Sequence, residues 1–301
     1  MSALDWRRDG LIWPHREASD FIRTGAARWH VQRMGGGPPL LLLHGTGASV
    51  HSWRGLMPLL ARSHDVIAMD LPRHAFTTGH DAYAMSLPAM AREVVQLLEA
   101  LEVTPAAIVG HSAGAAIALQ LALGHGYTGP IVGLSAALRP FPGALAQIFP
   151  AIAKTLFVNP LVPRIFTGSI DLVGGPRRFL WRSTHSRIDA EGLACYAALL
   201  RHPGHAGGAL AMMANWDLPA LRERMAEVAN PVLLIHGAND PAIPPDWARD
   251  AASWLPDARL DVLPGLGHLA HEEAPAEAAA RIAAYLAGQH QGRAASGDRA
   301  P

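Results

Sequence analysis

Apolar residues fall along this chain in two rhythms. Short unbroken runs form the first: "PPLLLLHG" (38–45), "HDVIAMDLP" (64–72), "AAIVG" (106–110), "GPIVGLSAAL" (129–138) and "NPVLLIHG" (230–237). Each is flanked by glycine, proline or polar residues, as strands buried on both faces are. "ARLDVLPG" (258–265) predicts a further strand, and the alternation in "ARWHVQRM" (27–34) predicts an edge strand. In the second rhythm apolar residues recur every three or four positions. "SLPAMAREVVQLLEALEV" (86–103) predicts a helix with Ser86 as its N-cap. "AGAAIALQLALG" (113–124) and "PAEAAARIAAYLAG" (275–288) predict two more. Strands alternating with helices imply a mostly parallel sheet with helices on both faces.

One region breaks the alternation. Residues 139–225 are apolar and punctuated by proline, without clear strands. They predict a mainly helical insertion, which divides the chain into a core of 1–138 and 226–288 and a cap of 139–225. The first 25 or so residues, polar with Trp6 and Trp13 interspersed, are expected to pack on the outside. The tail 289–301 is expected to be disordered. No internal repeat is visible.

Composition narrows the function classes. The chain has 301 residues, half of them hydrophobic, enough for one large core. Twenty-five basic residues balance twenty-five acidic ones, so no basic field argues for nucleic acid. The single cysteine, Cys195, allows no internal disulfide and fits the cytoplasm. The opening residues lack the apolar core of a signal peptide. The most apolar long stretch, 143–163, is interrupted by Pro150, Lys154 and Pro160, so no transmembrane segment is expected.

The candidate chemistry lies where strand meets helix. "VGHSAGAA" turns from one to the other through Gly110-x-Ser112-x-Gly114, a turn tight enough to leave the serine standing out of the sheet. A hydroxyl is a weak nucleophile and needs a histidine base, itself oriented by a carboxylate. Asp240 follows one later strand and His268 follows the next, in the order serine, acid, histidine. Asp261 and His271 are rivals for the last two roles. Gly267 favours delivery of His268 by a tight loop. The glycine-rich "LLLHGTGAS" supplies an oxyanion loop, with the backbone N–H groups of Thr46 and Ala113 as expected donors.

With these motifs in their order, the chain resembles the α/β-hydrolases from about Gly25 to Gly288. "HGTGASVHSW", "DLPRHAFT", "VGHSAGAAIAL", "HGANDPAIP" and "GLGHLAHEEAP" carry the resemblance. It implies an α/β-hydrolase fold with a helical cap, Ser112 as nucleophile, Asp240 as acid and His268 as base. One departure is Arg73 and Ala75 in "DLPRHAFT", where many relatives have glycine. The opening "DWRRDGLIWPHREAS", "RWHVQRMG" and "LLLHGTGASVHSWR" also resemble the magnesium-chelatase accessory proteins of bacteriochlorophyll biosynthesis in photosynthetic bacteria. That resemblance implies a setting, magnesium-tetrapyrrole synthesis, with chelatase subunits as partners, and leaves the chemical step open.

Aromatic residues and methionines cluster in the insertion. Phe141, Phe149, Phe157, Met212 and Met213, with His111 beside the serine, are candidates to line a pocket for a hydrophobic acyl group or a tetrapyrrole. The same side chains also suit a small core within the cap. Apolar surface on the insertion leaves a peripheral membrane contact open. Sixteen histidines show no metal-ligand spacing, and neither metal nor cofactor is required. Two functional classes remain: a serine hydrolase, and a binding or accessory module that keeps the fold without using the triad. Other chemistry on the same fold, such as C–C hydrolysis, is compatible with the triad.

Overall fold

The computed structural model describes residues 3–80, 85–139, 159 and 161–297. Eight strands form one sheet: β1 (Ser19–Thr24), β2 (Ala27–Gly35), β3 (Pro39–Leu43), β4 (Asp65–Met69), β5 (Ala107–His111), β6 (Ile131–Leu134), β7 (Val232–Gly237) and β8 (Ala258–Leu263). Their order is β1-β2-β4-β3-β5-β6-β7-β8, antiparallel in the first two pairings and parallel from β4 to β8. This is the α/β-hydrolase fold.

Side chains on a strand alternate between faces, and the apolar runs supply both. Leu41 and Leu43 join Ile67, Met69 and Ile108 on one side, beneath α2 (Leu87–Ala100) and α3 (Ala113–His125). Leu40 and Leu42 join Val66, Ala68 and Val109 on the other, against α1 (Met57–Leu60) and the closing helix. Each such buried leucine contributes about 1.5–3 kcal/mol. Ser86 stands at the N-cap of α2 with extended backbone, but its hydroxyl makes no capping bond.

Between β6 and β7 the described chain runs through α4 (Leu161–Ser169), α5 (Gly175–Thr184), α6 (Ala190–Leu200), α7 (Pro203–Ala214) and α8 (Leu218–Arg224). A cluster centred on buried Arg54 ties this segment to the stretches that follow β3 and β8. Arg54 pairs with Asp189 at 2.9 Å and with Glu272, and the Tyr196 hydroxyl donates to Glu272 at 2.7 Å.

Three details differ from the sequence reading. The edge strand is β1, not residues 27–34, which form the second strand. The N-terminal residues form an outer layer anchored from within: Leu4 and Trp13 are buried, and Trp6 and Trp13 pack on Phe76 at 4.9 and 4.8 Å. They cover the second face of β2, which needs such cover because its residues 29–32 are all buried. A helix left unread, α9 (Pro245–Trp254), joins β7 to β8 and buries Ala248 and Ala251. Finally, after α10 (Ala270–Glu273), α11 runs from Pro275 to Gly297. The expected disordered tail is thus helical to residue 297, since alanine, glutamine and arginine outweigh the glycines there. Among the described residues no helix is long and apolar enough to cross a membrane.

Candidate active site

Ser112 sits between β5 and α3 with φ 50° and ψ −112°. That conformation is unfavourable for a residue with a Cβ, so the surroundings must hold it. The Ser112 N–H donates to the Leu134 carbonyl at 2.9 Å, and its own carbonyl accepts from Ala115 and Ala137 at 3.2 and 3.1 Å. The flanking glycines are sterically required. A Cβ on Gly110 would lie 2.4 Å from the Ala115 nitrogen, and one on Gly114 would lie 2.0 Å from the Leu43 carbonyl oxygen. Gly45 likewise lets the loop after β3 approach, since a Cβ there would meet the Ser112 Cβ at 3.1 Å. The serine therefore opens α3, whose first N–H groups, beginning with Ala113, have no acceptor within the helix.

Asp240 follows β7 and His268 follows β8. The His268 Nδ1–H donates to Asp240 Oδ2 at 2.7 Å. The other carboxylate oxygen accepts the N–H groups of Ala242 and Ile243, both at 2.9 Å. Burial pushes the Asp240 carboxyl up, but the His268 hydrogen bond and charge, the Ile243 N–H and nearby His236 together hold it below its usual range. Two glycines let the acid and histidine loops touch. A Cβ on Gly237 would lie 2.2 Å from the Gly267 carbonyl, and one on Gly267 would lie 2.3 Å from that of Thr184. The insertion also holds the histidine: His268 N–H donates to the Thr184 carbonyl at the end of α5, at 2.8 Å. With Nδ1 fixed by a carboxylate, Nε2 is the nitrogen free to accept a proton.

The rivals are engaged elsewhere. Asp261 pairs with Arg281 at 3.0 Å. His271 is buried against Trp53 and His111, with both ring nitrogens unbonded among the described residues.

No hydrogen bond joins the Ser112 hydroxyl to His268 among the described residues. The link runs through His111, whose ring lies 4.9 Å from that of His268 and whose Nε2–H donates to the His268 carbonyl at 3.2 Å. His111, expected to line a pocket, is itself buried. It is 2% exposed, and burial lowers its pKa to about 3, which keeps it neutral.

The loop carrying Thr46 is held by side chains that the sequence did not single out. The Gly47 N–H donates to His74 Nε2 at 3.3 Å, and the Gly47 carbonyl accepts from His205 Nε2–H at 3.1 Å. His205, on α7, also accepts the Ala75 N–H at 3.0 Å. Burial lowers the pKa of His74 to about 4 and that of His205 to about 3. Arg73 and Ala75, the departures from the glycine pattern, adopt φ of 60° and 40°. Their backbone remains left-handed although neither is glycine, and Gly208 of α7 packs so closely that a Cβ would meet the Arg73 carbonyl at 2.2 Å. Beneath this loop, Asp70 bonds His30 at 2.7 Å and accepts from Val50 and Phe76 at 2.9 and 3.2 Å.

Of the pocket candidates, Met212 is buried with its sulfur accepting from the Thr46 hydroxyl at 3.4 Å. Met213 is 41% exposed, because the next position on a helix turns away from the face that Met212 buries. Phe141, Phe149 and Phe157 lie outside the described residues.

The chain belongs to the alpha/beta hydrolase family, whose model matches residues 40–282. It is 43% identical to the magnesium-chelatase 30 kDa subunit of Rhodobacter capsulatus over 95% of this chain and the whole of that one. It is 29% identical to a 2-hydroxymuconate semialdehyde hydrolase from Pseudomonas sp. strain CF600, over 88% of this chain and 93% of that one. Among solved structures, an alpha/beta hydrolase fold protein from Burkholderia ambifaria superposes with a TM-score of 0.73 at 22% identity, covering 88% of this chain and 97% of that one.

Proposed function

We propose that the chain is a serine hydrolase cleaving an ester, thioester or related acyl bond. The observation that carries this reading is the 2.7 Å bond from His268 to buried Asp240, which follow β8 and β7 in the same parallel half of the sheet as β5, after which Ser112 stands. Ser112 Oγ attacks the acyl carbon while His268 Nε2 takes its proton. The tetrahedral oxyanion accepts from the Thr46 and Ala113 N–H groups. As the intermediate collapses, His268 returns the proton to the leaving group and an acyl-serine remains. Water, deprotonated by His268, then releases the acid and restores the serine. The setting in this reading is cytoplasmic magnesium-tetrapyrrole synthesis around the chelatase, supported by the likeness to the Rhodobacter capsulatus subunit.

A second reading follows from that relative's name as a subunit: a tetrapyrrole-binding accessory in which the triad is inherited but unused. A fluorophosphonate probe with intact-mass readout separates the two. The hydrolase reading expects one adduct, absent in Ser112→Ala and much slowed in His268→Ala. An unlabelled but folded protein that shifts the absorbance of magnesium protoporphyrin would favour the accessory.

A further inference from the structure

The outer face of the α4–α5 pair combines two properties that a protein surface seldom holds together. The helices pack through Phe166 and Phe179, edge to face at 5.8 Å. On the outside, Leu161, Ile165, Leu172 and Trp181 are 53%, 67%, 86% and 53% exposed. Positions 161 and 165 are four apart on one face of α4, and Leu172 lies in the turn that follows it. Val173, 43% exposed, sits with Leu172 at the tip, where Gly174 and Gly175 turn the chain at φ of 100° and 79°. Several large apolar side chains left exposed on one helix pair and its turn point to a contact site.

The charge is one-sided. Residues 161–188 hold five arginines, Arg164, Arg177, Arg178, Arg182 and Arg187, against the single acid Asp171. Asp171 is already bridged by Arg201 at 2.7 Å, and none of the five arginines has a carboxylate partner among the described residues. The whole chain has equal numbers of basic and acidic residues, so the remainder carries the opposite excess of four (5 − 1). A hollow of ≈ 480 Å³ lies among Arg177, Arg178, Trp181 and Arg187, and an adjoining one of ≈ 400 Å³ reaches Arg201.

We propose that this face seats the protein on an anionic lipid surface. Leu172, Val173 and Trp181 enter the boundary between headgroups and acyl chains, and the arginines hold lipid phosphates. Arginine stems lie along apolar surface while their guanidinium groups reach a polar layer above it, which matches a bilayer. A second copy fits less well, because a two-fold contact would set five arginines against five. A protein partner would have to bring a matching acidic surface, whereas an anionic bilayer presents phosphates and an apolar layer together.

The test is co-sedimentation of the full chain with vesicles of phosphatidylcholine alone or with about 30 mol% phosphatidylglycerol. Binding is expected to the mixed vesicles, weakened by added salt. Replacing Arg177 and Arg178 by glutamine is expected to weaken it about thirtyfold, at about fivefold per arginine. Leu172→Asp is expected to abolish it. Circular dichroism and the thermal midpoint check each variant, and the two act at separate positions, so a misfolded one leaves the other decisive. No sedimentation with anionic vesicles, or sedimentation unchanged in both folded variants, overturns the proposal. So does a concentration-dependent dimer that Leu172→Asp dissociates, which would give the face to a second copy. None of these readouts depends on hydrolysis.

Discussion

Asp240 fixes one tautomer of one imidazole, and the proposed chemistry asks nothing else of it. Asp240→Asn keeps the volume but lets an amide N–H face Nδ1, which favours the wrong tautomer. The expected result is fluorophosphonate labelling slowed by about 10³–10⁴-fold, with the thermal midpoint little changed. A midpoint collapse with proportionate loss of labelling would make Asp240 structural instead. That Ser112, Asp240 and His268 each follow a strand was legible in the sequence, because each comes after an apolar run, in a turn that glycine or proline announces. The burial of His111 was not legible, because nothing local shows that the residue before the serine still belongs to β5. Asp70, His74 and His205 were not legible at all. His205 and Ala75 are 130 positions apart, and no local pattern encodes a bond of that span.

At the scale of elements, α7 acts as a brace. His205 and Met212 reach the loop after β3, and Gly208 touches the loop after β4. Removing the His205 ring should loosen Gly47 and, with it, the Thr46 N–H. For His205→Ala a labelling rate about tenfold lower is expected, short of the 10²–10³ for loss of a whole oxyanion donor. His205→Gln, which can still donate to the Gly47 carbonyl, should recover part of the rate. Equal rates in all three proteins would show that the loop needs no brace. Most strands and helices were readable from periodicity alone. Helix α9 was not, because its short amphipathic pattern follows a proline-rich turn, and β1 was not, because its residues are only half-buried.

Across the whole molecule, buried neutral histidines link folding to acidity. Burial lowers His74 to about 4 and His111 and His205 to about 3, and pushes His44, His51 and His271 well below the usual value. Folded values below the unfolded one mean stability that is full above about pH 6.5 and lost as pH falls toward 4. Glu272, raised to about 7 by burial, works in the opposite sense and offsets one proton. A net uptake of about two protons or more on unfolding near pH 5 implies a loss of about 3 kcal/mol per pH unit. Thermal unfolding from pH 7 to 4.5 measures this slope, and a flat profile would contradict it. Composition did not disclose this, since a histidine count says nothing of burial. Nor did a net charge of zero disclose the uneven distribution found on α4 and α5.

The sheet order carries one last consequence. On the proposed reading, Ser112 is synthesised 156 positions (268 − 112) before His268. A ribosome needs about ten seconds or more to add them. Until β7 and β8 dock beside β6, the hydroxyl has no base and is as inert as any other serine. A growing chain is thereby protected from acylation in its own unfinished state, and reactivity arrives only with the final strands.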